Sequence, residues 1–123
     1  MKPIRIVTVP PEDQRYPTCG DYREFDNEIV ITITDQISDD HEFLVALHEL
    51  IEFWLTRERG IRESEITDYD IKWEALPEPK ADEPGNEPDC IYGREHRFAE
   101  NIERQIAHEL GIDWHSYNNS LKI

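Results

Sequence analysis

A histidine and a glutamate near the middle of the chain have the residue types and the spacing of a metal site. The run ALHELIEF contains an H-E-x-x-E pattern formed by His48, Glu49 and Glu52. If this run is helical, His48 and Glu52 lie about 40° apart on one face, one turn above the other. An imidazole nitrogen and a carboxylate oxygen are both ordinary ligands for zinc and similar divalent metals. One ion is therefore within reach of both side chains.

A second stretch of sequence supplies further ligand candidates. In the run EHRFAENIE, His96 and Glu100 are again one helical turn apart, and Glu103 follows three residues later. His96 and Glu103 interrupt an apolar stripe formed by Ala99, Ile106, Ala107 and Leu110. The sequence predicts a metal held by His48, Glu52 and His96, with Glu100 or Glu103 as a fourth ligand or as a carboxylate that orients an imidazole.

Glu49 is the predicted catalytic residue of this site. It lies about 100° around the helix from His48, close enough to contact a metal-bound water at the edge of the site. In the HExxH arrangement the residue after the first histidine is the general base that takes a proton from this water. The metal lowers the pKa of the water toward about 7 and polarises a carbonyl or phosphoryl oxygen.

The same polar residues have a purely structural interpretation. His48 and Glu52 interrupt the core-facing stripe of the predicted helix, which consists of Leu44, Leu47, Ile51 and Leu55. A hydrogen-bonded pair that closes a polar gap in the core would also account for them. A metal that only stabilises a small core, without turnover, is a further alternative.

The strands and helices that must position these residues are predicted from the spacing of apolar residues and from the prolines, glycines and capping residues at their ends. A β-prone run over residues 4–9 stops at Pro10, and the β-branched residues of 28–35 (EIVITITD) predict a second strand. A helix is predicted from 39 to 59, capped by Ser38 or Asp39 and stopped by Gly60. Further helices are predicted over residues 63–75 and 94–110.

These elements predict one α+β domain over residues 1–123. We expect a small antiparallel sheet packed on two main helices, with a third, shorter helix and a zincin-like core. Residues 77–93 contain four of the eight prolines and a run of acidic residues, so an exposed loop is expected there, with a lid over the site as the alternative. Trp114 and Tyr117 are expected to pack the C-terminal segment against the body.

Charge and composition exclude several classes of function. Thirteen Lys and Arg against 28 Asp and Glu give a formal net charge of −15. This charge would repel phosphate backbones and anionic membrane surfaces, so direct binding of nucleic acid or of a membrane is not expected. No apolar run has the length of a signal peptide or a membrane span, which makes the cytoplasm the expected location. The two cysteines, Cys19 and Cys90, match no disulfide or zinc pattern.

Two resemblances add to these expectations. The runs VALHELIEFWL, YGREHRFAENIERQIAHELGIDW and QRYPTCGDY resemble a family of small phage and prophage proteins, which implies a phage- or prophage-encoded protein inside a bacterial cell. The helix with His48-Glu49-x-x-Glu52 also resembles zincin-type metalloproteases, with HExxE in place of HExxH. That resemblance implies zinc as the metal. The carboxylate in place of the second imidazole favours manganese or iron as alternatives.

Two functions are therefore predicted from the sequence. The first is a metal-dependent hydrolase, zincin-like and by analogy a peptidase, in which Glu49 activates a metal-bound water. The alternative is a non-catalytic acidic interaction protein, which would bind a protein partner by mimicking the negative charge of DNA. Glu49→Gln should abolish activity under the first hypothesis and change nothing under the second.

Overall fold

Three β-strands and four α-helices make up the fold in the computed structural model, which describes residues 1–123. The strands are β1 (Ile4–Val9), β2 (Gly20–Glu24) and β3 (Ile29–Thr34). The helices are α1 (Asp39–Glu58), α2 (Glu63–Glu74), α3 (Gly93–Glu109) and α4 (Trp114–Ser120). Short 3-10 turns lie at Pro11–Asp13 and Pro84–Asn86. The α+β class predicted from the sequence is confirmed.

The sheet is mixed, with strand order β1-β3-β2. β2 pairs antiparallel with β3, and β1 pairs parallel with β3 from Ile4 opposite Ile29 to Val9 opposite Thr34. The expectation of an antiparallel sheet is therefore wrong for the β1–β3 pair. The reason is β2 (GDYRE), a polar segment that the sequence did not predict as a strand. Because the chain reverses into β2 and again into β3, β3 runs in the direction of β1.

The apolar core lies between this sheet and the helices. Ile29, Ile31 and Ile33 of β3 are almost completely buried, as the β-branched composition of this run favours. Helix α1 packs across β2 and β3 with Leu44 and Val45, and it also packs along α3. The core continues on the other helices with Phe53, Ile66, Tyr92, Ala107 and Tyr117.

Helix α1 has well-formed ends that fix its register. The Ser38 hydroxyl accepts a hydrogen bond from the His41 backbone N–H at 3.2 Å, so Ser38 is the N-cap. The helix ends before Gly60, which has a φ of 73°, a left-handed conformation that glycine adopts without steric cost. These ends agree with the predicted helix over residues 39–59.

The C-terminal segment packs against the body as expected and does so as a helix, whereas the proline-rich loop differs from its predicted form. The segment after α3 forms the helix α4, capped by Asp113, and it buries Tyr117 completely. In the loop, residues 77–79 are exposed as expected, whereas Gly85 and Tyr92 are buried. The second half of the loop thus packs against the body of the protein. None of the helices combines the length and the apolar character needed to cross a membrane.

Candidate metal centre

Helix α1 places three polar side chains inside the protein. His48 and Glu49 are each 8% exposed and Glu52 is 5% exposed. Most of the other buried residues of this helix are apolar. His48 and Glu52 are four residues apart and therefore share one face, while Glu49 points to the side. Buried charged groups need partners or a ligand, because desolvation penalises the charged form.

Helix α3 supplies the opposite wall of the site. His96 and Glu103 are buried on the side of α3 that packs against α1, on the same stripe as the fully buried Ala99 and Ala107. The two small alanines allow the helices to approach closely, and the polar residues between them meet the polar residues of α1. The predicted meeting of the two polar faces is thus present in the structure.

Three ligand atoms form a nearly equilateral triangle. His48 Nε2 lies 3.0 Å from Glu52 Oε2 and 3.2 Å from His96 Nδ1, and His96 Nδ1 lies 3.1 Å from Glu52 Oε2. Two ligand atoms bound to one tetrahedral zinc at the usual bond lengths of about 2.0–2.1 Å are separated by about 3.3 Å. These three residues could therefore hold one metal ion with only a small outward movement of the side chains.

Each member of the triangle is oriented by another side chain. His48 Nδ1 lies 2.8 Å from Glu103 Oε1, and the Tyr117 hydroxyl donates to the other oxygen of Glu103. An ionised carboxylate only accepts hydrogen bonds, so the Nδ1 of His48 carries the proton and Nε2 faces the triangle. The Tyr22 hydroxyl donates to Glu52 Oε1 at 3.0 Å, which leaves Oε2 for the triangle. Histidine ligands of metals usually have such a carboxylate on the far nitrogen.

His96 has a carboxylate at its far nitrogen as well. Its Nε2 lies 3.0 Å from Glu83 Oε2, within the distance of an ion pair. The alignment is too poor for a hydrogen bond, and His96 Nε2 is the one fully buried side-chain nitrogen or oxygen without a hydrogen-bond partner. The pair is thus electrostatic, and a small rotation of either side chain would convert it into a hydrogen bond.

The carboxylates strongly perturb the ionisation of both histidines. Burial opposes the charged form of His48, but hydrogen bonds with Glu103 and Glu52 outweigh it and hold the pKa of His48 well above its usual value. Burial also opposes the charged form of His96, but its contacts with Glu52 and Glu83 outweigh this effect and raise its pKa to about 10. Burial also opposes ionisation of Glu52, but its hydrogen bonds with the two histidines lower its pKa to about 2. The same carboxylates would also stabilise the positive charge of a cation held between these residues.

Glu49 differs from the other polar residues because its carboxylate has no hydrogen-bond or ion-pair partner in the structure. Burial and the neighbouring Glu52 carboxylate raise the pKa of Glu49 well above its usual value. Its side chain lines a cavity that also contains His48, Glu52 and His96. A free carboxylate beside the triangle and open to this cavity can accept a proton from a water bound there.

Two glycines permit the close packing of the site. A Cβ atom on Gly20 would lie 2.4 Å from Glu49 Cγ, and a Cβ atom on Gly85 would lie 2.3 Å from Cγ of the His96 ring. Carbon atoms do not approach so closely, so any side chain at either position would displace Glu49 or His96. The backbone of β2 and that of the proline-rich loop thus form walls of the site.

The cavity has a volume of about 130 Å³ and opens between β2, α1, α2 and the proline-rich loop. Aromatic side chains from three regions line it, among them Tyr16, Trp73 and Trp114. Glu100 also lines the cavity but is outside the triangle, whereas Glu103 contacts His48. Of the two carboxylates that the sequence left open, Glu103 is thus the one that orients an imidazole.

Sequence reasoning missed the residues that complete the site from outside α1 and α3. Tyr22 lies on the unpredicted strand β2, Tyr117 on the unpredicted helix α4, and Glu83 in the loop that was expected to be exposed. The two glycines also carried no local signal of their function. The phenol groups of Tyr22 and Tyr117 were available as hydrogen-bond donors, but only tertiary contacts bring them to Glu52 and Glu103.

Comparisons of the chain with protein families, with characterised proteins and with solved structures found no match. The argument for function therefore depends on the geometry and chemistry of the site.

Proposed function

We propose that this protein is a metal-dependent hydrolase whose ion is held by His48, Glu52 and His96, with Glu49 as the general base. The observation that carries the proposal is the buried, unpartnered carboxylate of Glu49 beside a triangle of three ligand atoms. A polar network that only fills the core gains nothing from a carboxyl group without a hydrogen-bond partner, whereas a general base needs a carboxyl oxygen that is open to water beside the metal ligands.

The charge of the site favours a cation over a purely protonic network. Glu49, Glu52, Glu83 and Glu103 surround two histidines, and the facing nitrogens of those histidines are 3.2 Å apart. Without an ion, a proton must lie between these nitrogens. If both imidazoles are protonated, as their raised pKa values favour, they repel each other. A single divalent cation offsets the charge of two of these carboxylates and accepts both nitrogen lone pairs. Two nitrogens and one oxygen suit zinc, and the carboxylate also suits manganese or iron.

The bound ion would supply Lewis acidity, which lowers the pKa of a water ligand and polarises a carbonyl oxygen. The side chains of the protein have separate functions in this proposal. Glu103 and Glu83 keep His48 and His96 in the required orientation, and Tyr22 does so for Glu52. Glu49 takes a proton from the attacking water and delivers it to the leaving group. The zincin-like interpretation of the HExxE helix assigns the same function to Glu49.

Metal content of the purified protein tests the proposal, measured by elemental mass spectrometry. Wild type should contain about one ion per chain, and His48→Ala and His96→Ala should both lose it. His108→Ala changes an exposed histidine on α3 and should retain the ion. No ion in wild type, even after reconstitution with zinc, manganese or iron, would contradict the metal site.

Glu49→Gln separates catalysis from a metal that only stabilises the fold. This variant should keep the ion and the melting temperature of wild type but lose hydrolysis of amide and ester substrates. If wild type binds metal, loses stability on chelation and hydrolyses none of these substrates, the ion is structural. The acidic interaction protein predicted as the alternative would then be the better account.

A further inference from the structure

The cavity beside the triangle is acidic to an unusual degree. Ten of its 29 lining residues are Asp or Glu, and none is Lys or Arg. Even with a divalent cation and neutral histidines, the lining would keep a large negative charge. Walls of low dielectric concentrate such a field inside a cleft, which attracts cations and repels anions.

Few of these carboxylates are neutralised by basic residues outside the cavity. Arg15 pairs with Asp21 and Glu63, and Arg104 lies 3.7 Å from Glu100. The other seven carboxylates have no Lys or Arg within ion-pair distance. Glu49 is one of them, and it is more than nine-tenths buried with its carboxylate unpartnered at the cavity.

The volume of the cavity limits the size of a ligand. Pockets for drug-sized molecules have volumes of about 300–1,000 Å³, and a cavity of about 150 Å³ can house one benzene ring. At about 130 Å³, this cavity accepts a small molecule or one end of a larger one.

The edge of β2 is closed to an extended peptide. Its outward N–H groups already donate to side chains: Gly20 to Thr18 Oγ1, Tyr22 to Asp21 Oδ1 and Glu24 to Glu63 Oε2. A peptide that adds to a sheet edge needs those backbone groups free. The strand nearest to Glu49 therefore offers no backbone ladder for a polypeptide substrate.

From these four observations we infer that the substrate is a small amide or ester with a protonated amine next to the scissile carbonyl. This inference rests on the proposed hydrolase. Glu100 is the expected partner of the amine, because it lines the cavity one helical turn beyond His96 and its side chain remains 19% exposed. Its one basic neighbour, Arg104, is too distant for a hydrogen bond.

In the hydrolysis of such an amide, the water oxygen forms a bond to the carbonyl carbon and the carbon–nitrogen bond breaks. The proton that Glu49 takes from the water moves to the departing nitrogen. The second proton of the water leaves the new carboxylic acid and passes to solvent or to the released amine. The products are a carboxylate with its neighbouring ammonium group and an amine, and no further reactant is consumed.

Three chromogenic substrates with one leaving group test the inference on the zinc-loaded protein. Alanine 4-nitroanilide is cationic, its N-acetyl derivative is neutral and its N-succinyl derivative is anionic. We expect kcat/KM for the cationic compound to exceed that for the neutral one by at least about tenfold, with the anionic compound the poorest. Equal rates, or a preference for the acetyl or succinyl compound, would overturn the inference and leave the hydrolase intact.

Binding to the zinc-loaded Glu49→Gln variant tests the ligand class without turnover. Titration calorimetry should detect alaninamide and give an affinity at least about tenfold above that for N-acetylalaninamide. If alaninamide binds with this preference but wild type hydrolyses neither nitroanilide, the hydrolase proposal fails and the cationic ligand class stands. If neither amide binds, the inference is overturned.

Glu100→Gln locates the amine within the cavity. This variant should keep its zinc and reduce the preference for the cationic nitroanilide by about twofold to fivefold, the size of a partly exposed charge pair. Glu109→Gln is the matched control, because it removes an exposed carboxylate from the same helix outside the cavity. An unchanged preference in Glu100→Gln, or an equal loss in Glu109→Gln, would contradict the assignment of the amine to Glu100.

Discussion

The backbone of Gly20 lies directly against the side chain of Glu49. A Cβ atom at position 20 would be 2.4 Å from Glu49 Cγ and 2.7 Å from Oε1, closer than any two such atoms can approach. Because Glu49 makes no hydrogen bond, contact with this wall helps to limit the positions of its carboxylate. The strand β2 therefore positions the proposed base through the absence of a side chain.

Gly20→Ala should reduce hydrolysis much more than it reduces metal binding. The added methyl group displaces the Glu49 carboxylate, while the ligand atoms on His48, Glu52 and His96 stay in place. Metal content and kcat/KM measured on the same preparation check this. Gly60→Ala is the control: nothing lies within 4 Å of its Cβ position, and its φ of 73° costs stability without a contact to the site. Loss of the metal in Gly20→Ala would contradict this prediction.

Gly85→Ala should instead weaken metal binding. Its Cβ atom would meet the ring of His96 at 2.3 Å, so either the imidazole or the loop must move. We expect the affinity for zinc to fall by at least about tenfold, as for changes that misplace a metal ligand. Competition with a chromogenic chelator measures the affinity. A wild-type affinity in this variant would contradict the prediction.

Tyr117→Phe should destabilise the protein and weaken the metal site together. The lost hydroxyl leaves one buried oxygen of Glu103 without its donor, which costs about 1–3 kcal/mol. Because Glu103 orients His48, the affinity for zinc should also fall. Denaturant titration and chelator competition measure the two effects, and Tyr69→Phe, which removes an exposed hydrogen bond to Asp89, is the matched control. Stability loss without any change in affinity would contradict the orienting function of Glu103.

Asp70 should make the stability of the protein depend on pH between about 4 and 6. Burial raises the pKa of Asp70 to about 6, although the hydroxyls of Tyr92 and Tyr16 both donate to it. The folded state thus holds the proton more tightly than the unfolded state, whose ordinary value is 3.8. The contribution of Asp70 to stability is therefore greatest below pH 4 and declines as the pH rises through 6.

Asp70→Asn tests this dependence, because the amide does not titrate. The stability of wild type relative to the variant should fall by on the order of 2–3 kcal/mol between pH 4 and pH 7, at about 1.4 kcal/mol for each pKa unit. Urea titrations of both proteins over this range give the difference. A difference that stays constant, or that grows with pH, would contradict the raised pKa.

The long helices and their polar faces were predictable from the sequence because they follow a local rule. Apolar periodicity and end signals predicted a helix over residues 39–59, and the structure has Asp39–Glu58. The same periodicity showed that His48 and His96 occupy core-facing positions. The sequence could not choose between Glu100 and Glu103, since a rotation of the helix by one position exchanges them. The packing of Ala99 and Ala107 against α1 fixes that rotation.

The remaining parts of the site depend on contacts between distant segments. β2 has the polar composition GDYRE, and its burial follows from pairing with β3 and coverage by α1 and α2. Glu83 and Gly85 lie in a loop without periodicity, and only the folding of that loop onto α3 brings them to His96. Propensity scales contain no information on such contacts. For the same reason the parallel pairing of β1 with β3 was not predicted.

The contact between His48 and His96 joins positions that are 48 residues apart in the chain. An ion shared by them would act as a reversible cross-link, comparable to a disulfide in the way it restricts the unfolded chain. Helix α2 and the proline-rich loop lie inside the closed segment. Local opening of these parts, as measured by amide hydrogen exchange, would then slow when the ion binds and accelerate when it leaves. The availability of metal would in this way govern the lifetime of the folded state as well as the chemistry of the site.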